Sequence, residues 1–121
     1  MPEFSITEGM SAELSSIVEE QHTINRTGKS DGAVLSTPAM IMLMEQAAIE
    51  AIDPNLPMGS ATVGFHVDVK HFAPTAIGAS VTAKATVTGI DGVKISLDVS
   101  AFEADKQIGA GTHRRAVIST D

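Results

Sequence analysis

The stretch Ser36-Thr37-Pro38-Ala39-Met40-Ile41-Met42-Leu43-Met44-Glu45-Gln46-Ala47-Ala48-Ile49-Glu50-Ala51-Ile52-Asp53-Pro54 decides how this chain folds. A hydroxyl residue followed by proline reads as a helix start, because the side-chain oxygen accepts from a free N–H and proline fits the first helical position. Thr37 is the expected N-cap. From Ala39 to Ile52 the residues favour helix and are apolar nearly all round apart from Glu45, Gln46 and Glu50, and Asp53-Pro54 ends the run. A helix without a polar face is expected to be buried.

Working outward, the period changes from 3.6 to two. After a turn-rich loop, Asp53 to Ser60, the residues Val63, Phe65, Val67, Val69 and His71 are expected on one face of a strand, opposite Gly64, His66, Asp68 and Lys70. Phe72-Ala73-Pro74-Thr75 breaks that strand. A second follows in which Val81, Ala83, Ala85 and Val87 alternate with polar residues, and Gly89-Ile90-Asp91-Gly92 reads as a hairpin turn. Val93, Ile95, Leu97, Val99 and Ala101 predict the buried face of a third strand. Ala104-Asp105-Lys106 turns the chain again into a last strand, Gln107 to Ser119, where Gly109 and Gly111 suit a bulge or a close backbone approach. Ser11 to Glu20 can be drawn as an amphipathic helix or as a strand with Ala12, Leu14, Ser16 and Val18 inward; strand is preferred. The four strands after the helix are expected as consecutive neighbours in an antiparallel meander, and the resulting expectation is a single α+β domain over residues 1–121, a curved antiparallel sheet wrapped around one long central helix. The open side of such a helix calls for cover from a second subunit, so a homodimer is expected, with higher assembly left open.

Composition narrows the function. The net charge of −7 opposes a phosphate backbone, and four Phe with no Trp or Tyr leave little for base stacking, so nucleic acid is not an expected partner. Local cations such as Lys70, Arg114 and Arg115 are still compatible with a phosphate-bearing small ligand. There is no Cys, so disulfides, thiolate nucleophiles and Cys-ligated zinc are excluded. No stretch approaches the ~18 to 20 apolar residues that span a bilayer, and the N-terminus carries no basic-then-apolar leader pattern; a cytoplasmic protein away from membranes is expected.

Glu45 lies two turns into an apolar helix, where a carboxylate is costly without a partner or a task. His71 ends the apolar face of the first long strand. Glu, His and a helix-start hydroxyl make a chemically reasonable hydrolytic set. Each also has a plain structural reading: Glu45 as a hydrogen-bond partner, His71 as a satisfied strand end, Thr37 as a cap. His22, His66 and His113 are expected at solvated positions, since no H-x-x-x-H or carboxylate-triad spacing supports a metal site. Met40, Met42, Met44 and Met58 suit either an adaptable pocket or plain core.

Three motifs taken together favour the chemical reading. Val34 to Glu45, Thr62 to His71 with Pro74, and Ile108 to Val117 resemble, in sequence and joint spacing, the fluoroacetyl-CoA thioesterase-like family of hot-dog proteins. The resemblance covers nearly the whole chain from about Gly9. It implies a hot-dog fold, an acyl-CoA thioesterase, and a catalytic triad at Thr37, Glu45 and His71, with Gly64 and Arg115 as substrate-binding positions. It further implies a site at a dimer interface built from both subunits, with no cofactor beyond the coenzyme A of the substrate. The segment Gly28-Lys29-Ser30-Asp31-Gly32 has no aromatic residue to close over a small fluorinated group, so a broader or different short acyl group is expected. Two other activities fit the same fold: an acyl-CoA hydratase or dehydratase, and a non-catalytic binder of acyl-CoA or a small hydrophobic ligand.

Overall fold

The computed structural model describes residues 5–121; the first four residues of the expected domain lie outside the described residues. The chain forms β1 (Ser11–Ile17), a single 3-10 turn (Glu20–His22), the short β2 (Thr23–Ile24) and β3 (Val34–Leu35), and then α1 (Thr37–Ile52). After a second 3-10 turn (Asp53–Asn55) come β4 (Ser60–His71), β5 (Ser80–Asp91), β6 (Lys94–Glu103) and β7 (Lys106–Ser119). The five long strands make one antiparallel sheet in the order β1-β5-β6-β7-β4.

The helix packs on one face of this sheet. Met40, Met44, Ala47, Ala48, Ala51 and Ile52 of α1 meet Val81, Ala83, Ala85 and Val87 of β5, Ile95, Leu97, Val99 and Ala101 of β6, and Ile108 of β7, all buried. Alanines on both helix and sheet let the two backbones approach closely, and each buried Met, Ile or Leu contributes about 1.5–3 kcal/mol of transfer energy. The period-two patterns of β5 and β6 therefore appear as expected, as does the strand assignment at Ser11. The helix is not buried all round. Met42 and Ile49 stay exposed on its outer side, because one chain supplies one sheet and hence cover for one face only.

Three other expectations are corrected. The strands after the helix do not run as four consecutive neighbours: β4 pairs with β7, at the edge opposite β1. Residues 72–79 make the crossing, pinned on the way by Phe72 N–H to Ile108 C=O (2.8 Å), Leu35 N–H to Thr75 C=O (2.8 Å) and Val18 N–H to Ala79 C=O (2.9 Å). Three strand spacings are only about 14 Å, well within the reach of that segment.

The second correction concerns the facing of β4. Gly64 pairs with Arg115 and His66 with Arg114, so Phe65 is an extra, bulged residue. The bulge inverts the alternation, and Val63 and Phe65 do not share a face with Val67, Val69 and His71. Residues opposite one another in a ladder share a face, so Gly64 before the bulge and Val67 and His71 beyond it lie on the helix side with their partners Arg115, His113 and Gly109. Third, the β5–β6 turn comes later than Gly89: Asp91 pairs with Lys94, and Gly92 takes the positive φ of 62° that the tight connection needs.

Candidate active site

The N-terminal end of α1 carries the first polar cluster. Ser36, not Thr37, is the N-cap: its side chain accepts from Ala39 N–H at 3.2 Å. Both residues are hydroxyl-bearing, and the chain enters the helix one residue earlier than the Pro38 rule suggests. This frees the Thr37 hydroxyl, which lies 2.8 Å from Nδ1 of His71. The contact joins the first residue of α1 to the last of β4. Burial pulls the His71 pKa below the ordinary histidine value of 6.5, with the Ala73 carbonyl opposing, so the ring is neutral near pH 7. Its Nε2 is buried and has no hydrogen-bond partner among the described residues. The pair borders an open groove lined by Ile24, Val34, Leu35, Phe72, Ala73 and Pro74.

Two turns along the same helix is a second cluster. Glu45 Oε2 accepts from Arg115 Nη1 at 3.2 Å and lies 3.8 Å from His113 Nε2. Arg115 is 3 % exposed and His113 1 %, whereas the Glu45 side chain retains 32 % exposure, so a reachable carboxylate is held by buried groups. Arg115 also donates from Nε to the Thr62 hydroxyl (2.8 Å) and from Nη2 to the Thr62 carbonyl (2.9 Å). Arg115 Nη1 is 3.1 Å from His113 Nε2, and guanidinium nitrogens only donate, so that nitrogen must accept. The proton of His113 therefore sits on Nδ1, which donates to the His66 carbonyl at 2.8 Å. Burial, reinforced by the Arg115 charge, lowers the His113 pKa despite the opposing His66 carbonyl and Glu45, in keeping with a neutral ring.

Gly64 faces this cluster. A Cβ there would lie 2.8 Å from Glu45 Oε2, 2.9 Å from His113 Cε1 and 3.1 Å from Arg115 Nη1, so only glycine leaves these groups where they are. The residues that sequence reading singled out thus fall into two sets within one chain: Thr37 with His71, and Glu45 with Gly64 and Arg115. Within the chain Glu45 has Arg115 and His113 as its partners rather than His71, and it lies eight positions beyond Thr37 along the helix, about 12 Å of axial rise.

His113 is corrected from solvated to buried, and Arg115 is buried with its guanidinium bonded to Thr62 and Glu45. Of the other cations considered for a phosphate, Arg114 stacks over the Phe65 ring at 5.1 Å on the outer face of the sheet. His113, Thr62 and Asp53 were missed as members of the site. The available signal was the spacing of two in Gly109, Gly111, His113 and Arg115, which puts the last two on the glycine-marked inner face. Met40 and Met44 are core, while Met42 and Met58 are exposed.

An antiparallel sheet wrapped on one helix, with a carboxylate on that helix against a glycine of the bulged edge strand, defines a hot-dog domain. A Thermus thermophilus member of the thioesterase superfamily superposes with a TM-score of 0.85 at 25% identity, covering 96% of this chain and 86% of that one. More narrowly, the family model described as fluoroacetyl-CoA-specific thioesterase matches residues 18–121, and the chain belongs to that family. A solved structure of the fluoroacetyl-CoA thioesterase FlK superposes with a TM-score of 0.85 at 30% identity, covering 96% of this chain and 90% of that one. The fluoroacetyl-CoA thioesterase of Streptantibioticus cattleyicolor is 40% identical over 85 residues, a match spanning 70% of this chain and 61% of that relative's length.

Proposed function

We propose that this chain hydrolyses short acyl-CoA thioesters as a homodimer, with Thr37, Glu45 and His71 as catalytic residues. The observation that carries the reading is Glu45: an accessible carboxylate fixed by a buried guanidinium beside a glycine whose missing side chain leaves it room. Membership of a thioesterase family supports the reaction class. A mutant FlK of the same fold was crystallised with fluoroacetate and CoA, which supports a CoA thioester as substrate.

In this reading Glu45 either attacks the thioester carbonyl with its own oxygen, breaking the C–S bond and leaving an acyl anhydride on Glu45 that water then hydrolyses, or deprotonates a water that makes the attack. In both routes one water is consumed and the leaving thiolate ends as the thiol of coenzyme A. Thr37, oriented by neutral His71, hydrogen-bonds the acyl group, and the Gly64 N–H faces the developing oxyanion. The products are the carboxylic acid and free coenzyme A. A second copy completes the site: among the described residues β4 is an edge strand with Val63 and Phe65 exposed on one face and Val67 on the other (41–47 %), and its unpaired backbone is what strand-to-strand pairing of two subunits would cover. Helix and strand contributions then come from both subunits at that seam. Coenzyme A thioesters as substrates accord with a cytoplasmic setting.

The acyl group is short but not restricted to a fluorinated one. The loop before α1 is a polar turn organised by Asn25, whose Nδ2 donates to Lys29 C=O at 2.7 Å and whose Oδ1 accepts from Thr27 N–H at 3.0 Å, with no aromatic side chain at 28–32. The test is thiol release from a panel of short, branched and aromatic acyl-CoA thioesters, run beside enoyl-CoA hydration. Thiol release without hydration is expected. Hydration without thiol release, or ligand-induced stabilisation with neither reaction, would replace this reading by the hydratase or the binder.

A further inference from the structure

The support of Glu45 extends past Arg115 and returns to the helix that carries Glu45. Arg115 is gripped from behind by one residue, since Thr62 accepts from Nε through its hydroxyl and from Nη2 through its carbonyl. Thr62 is 7 % exposed, and its hydroxyl is also 2.6 Å from Asp53 Oδ1, while its N–H donates to Asp53 Oδ2 at 3.2 Å. Asp53 is the C-cap of α1. The loop therefore closes: α1 holds Glu45 at one point, and holds Arg115 through Asp53 and Thr62 at another.

Every proton in this loop has one allowed place. The Thr62 hydroxyl has a single hydrogen; the Asp53 carboxylate accepts only, so that hydrogen goes to Asp53 and the oxygen lone pair receives Arg115 Nε–H. Arg115 Nη1 then has its two hydrogens for Glu45 and His113. Asp53 lies eight positions beyond Glu45 along α1, about 12 Å of axial rise, and Thr62 is buried behind the guanidinium it grips. Valine in place of Thr62 keeps the volume but leaves the buried Arg115 Nε–H without its acceptor, which lowers stability, so fold and rate are read separately.

We infer that Thr62, anchored by Asp53, is a positioning residue that fixes the reacting carboxylate of Glu45 through Arg115. The inference rests on the proposed role of Glu45. Freed from Thr62, the guanidinium can follow Glu45 or His113 instead of holding them, and an error near 1 Å at the reacting oxygen is enough to slow the chemical step strongly.

The experiment compares wild type with Thr62→Val and Thr62→Ser in thiol release, with far-UV circular dichroism and chromatographic size as controls. Thr62→Val is expected to lose about 10- to 100-fold in kcat with KM within about threefold, and Thr62→Ser to stay near wild type. Wild-type kcat in Thr62→Val, or equal loss in a folded Thr62→Ser, overturns the inference. Should Thr62→Val fail to fold, Asp53→Asn takes its place; it keeps an acceptor for the hydroxyl but loses the second oxygen and the charge, and a kcat equal to wild type is the overturning result. A wild type that releases no thiol refutes the proposed function instead. The clamp itself is read without turnover, from the Nε–H signal of Arg115 in proton-exchange NMR: slow exchange beside exposed Arg26 and loss of that protection in Thr62→Val are expected, and equal exchange of the two arginines in wild type overturns the clamp.

Discussion

Replacing Gly64 by alanine adds one methyl group at the point where the Glu45 cluster is tightest. The new carbon would lie 2.8 Å from Glu45 Oε2, 2.9 Å from His113 Cε1 and 3.1 Å from Arg115 Nη1. Ordinary contact begins near 3.4 Å, so the carboxylate must retreat by at least about 0.6 Å, and more if the buried His113 ring stays in place. Overpacking of a rigid core costs about 1–3 kcal/mol, but Glu45 is the partly exposed end of a flexible side chain and can yield, which puts the folding cost at the low end. The same retreat moves the reacting oxygen by a distance that costs on the order of 10²-fold in rate. Gly64→Ala is thus expected to lower Tm by only a few degrees while kcat for thiol release falls about 10- to 100-fold. The glycine has no positive φ here, so backbone strain does not confuse the outcome. A folded Gly64→Ala protein with wild-type kcat would refute the placing of the reaction at Glu45, Arg115 and His113.

Two further predictions follow from the division of the site and from its two histidines, His71 half-buried and His113 buried. If the sites are shared across the β4 seam, co-assembled Glu45→Gln and His71→Ala subunits contain some sites with no lesion, and mixing two inactive proteins restores a measurable fraction of wild-type turnover; mixtures as inactive as their parents would contradict a shared site. His71 and His113 both have folded pKa values below 6.5. The unfolded chain therefore binds protons that the folded chain does not as pH falls below that value, so stability is complete above about pH 6.5 and is lost on acidification toward the lowered folded values. Tm followed from about pH 8 downward should fall across that window, and the acid limb of kcat/KM should have its midpoint below 6.5; a limb above 6.5 would contradict a neutral, desolvated His71.

The helix, β5 and β6 were legible because each has one rule: a run between Pro38 and Asp53 that is apolar except at Glu45, Gln46 and Glu50, and strict alternation with one buried face. In β4 the same rule misleads. Val63 to His71 alternates without a break, but the bulge at Phe65 changes the phase midway, and a bulge at an edge strand leaves no mark in a pattern of Val and Phe. The order of strands was not readable either, since the partner of β4 depends on the crossing at residues 72–79 and not on any local period. Within the site, Glu45 stood out because a charge in an apolar helix is conspicuous. Thr62 and His113 did not, because a strand threonine and a strand histidine look the same in solvent as in a buried network, and only the face on which Arg115 lies distinguishes them. The interval from Thr37 to Glu45 was visible, but its consequence, two clusters set apart along one helix, needed the observed partners of each residue.

The measurement that bears most directly on the account is the steady-state hydrolysis of a short acyl-CoA by Glu45→Gln beside wild type, with the size and Tm of both proteins. Gln keeps the shape and an oxygen acceptor for Arg115 but removes the charge and basicity that either attack or water activation needs. Retained assembly and fold with kcat lower by about 10³-fold or more is the predicted result. A folded Glu45→Gln protein that releases coenzyme A at the wild-type rate would contradict it.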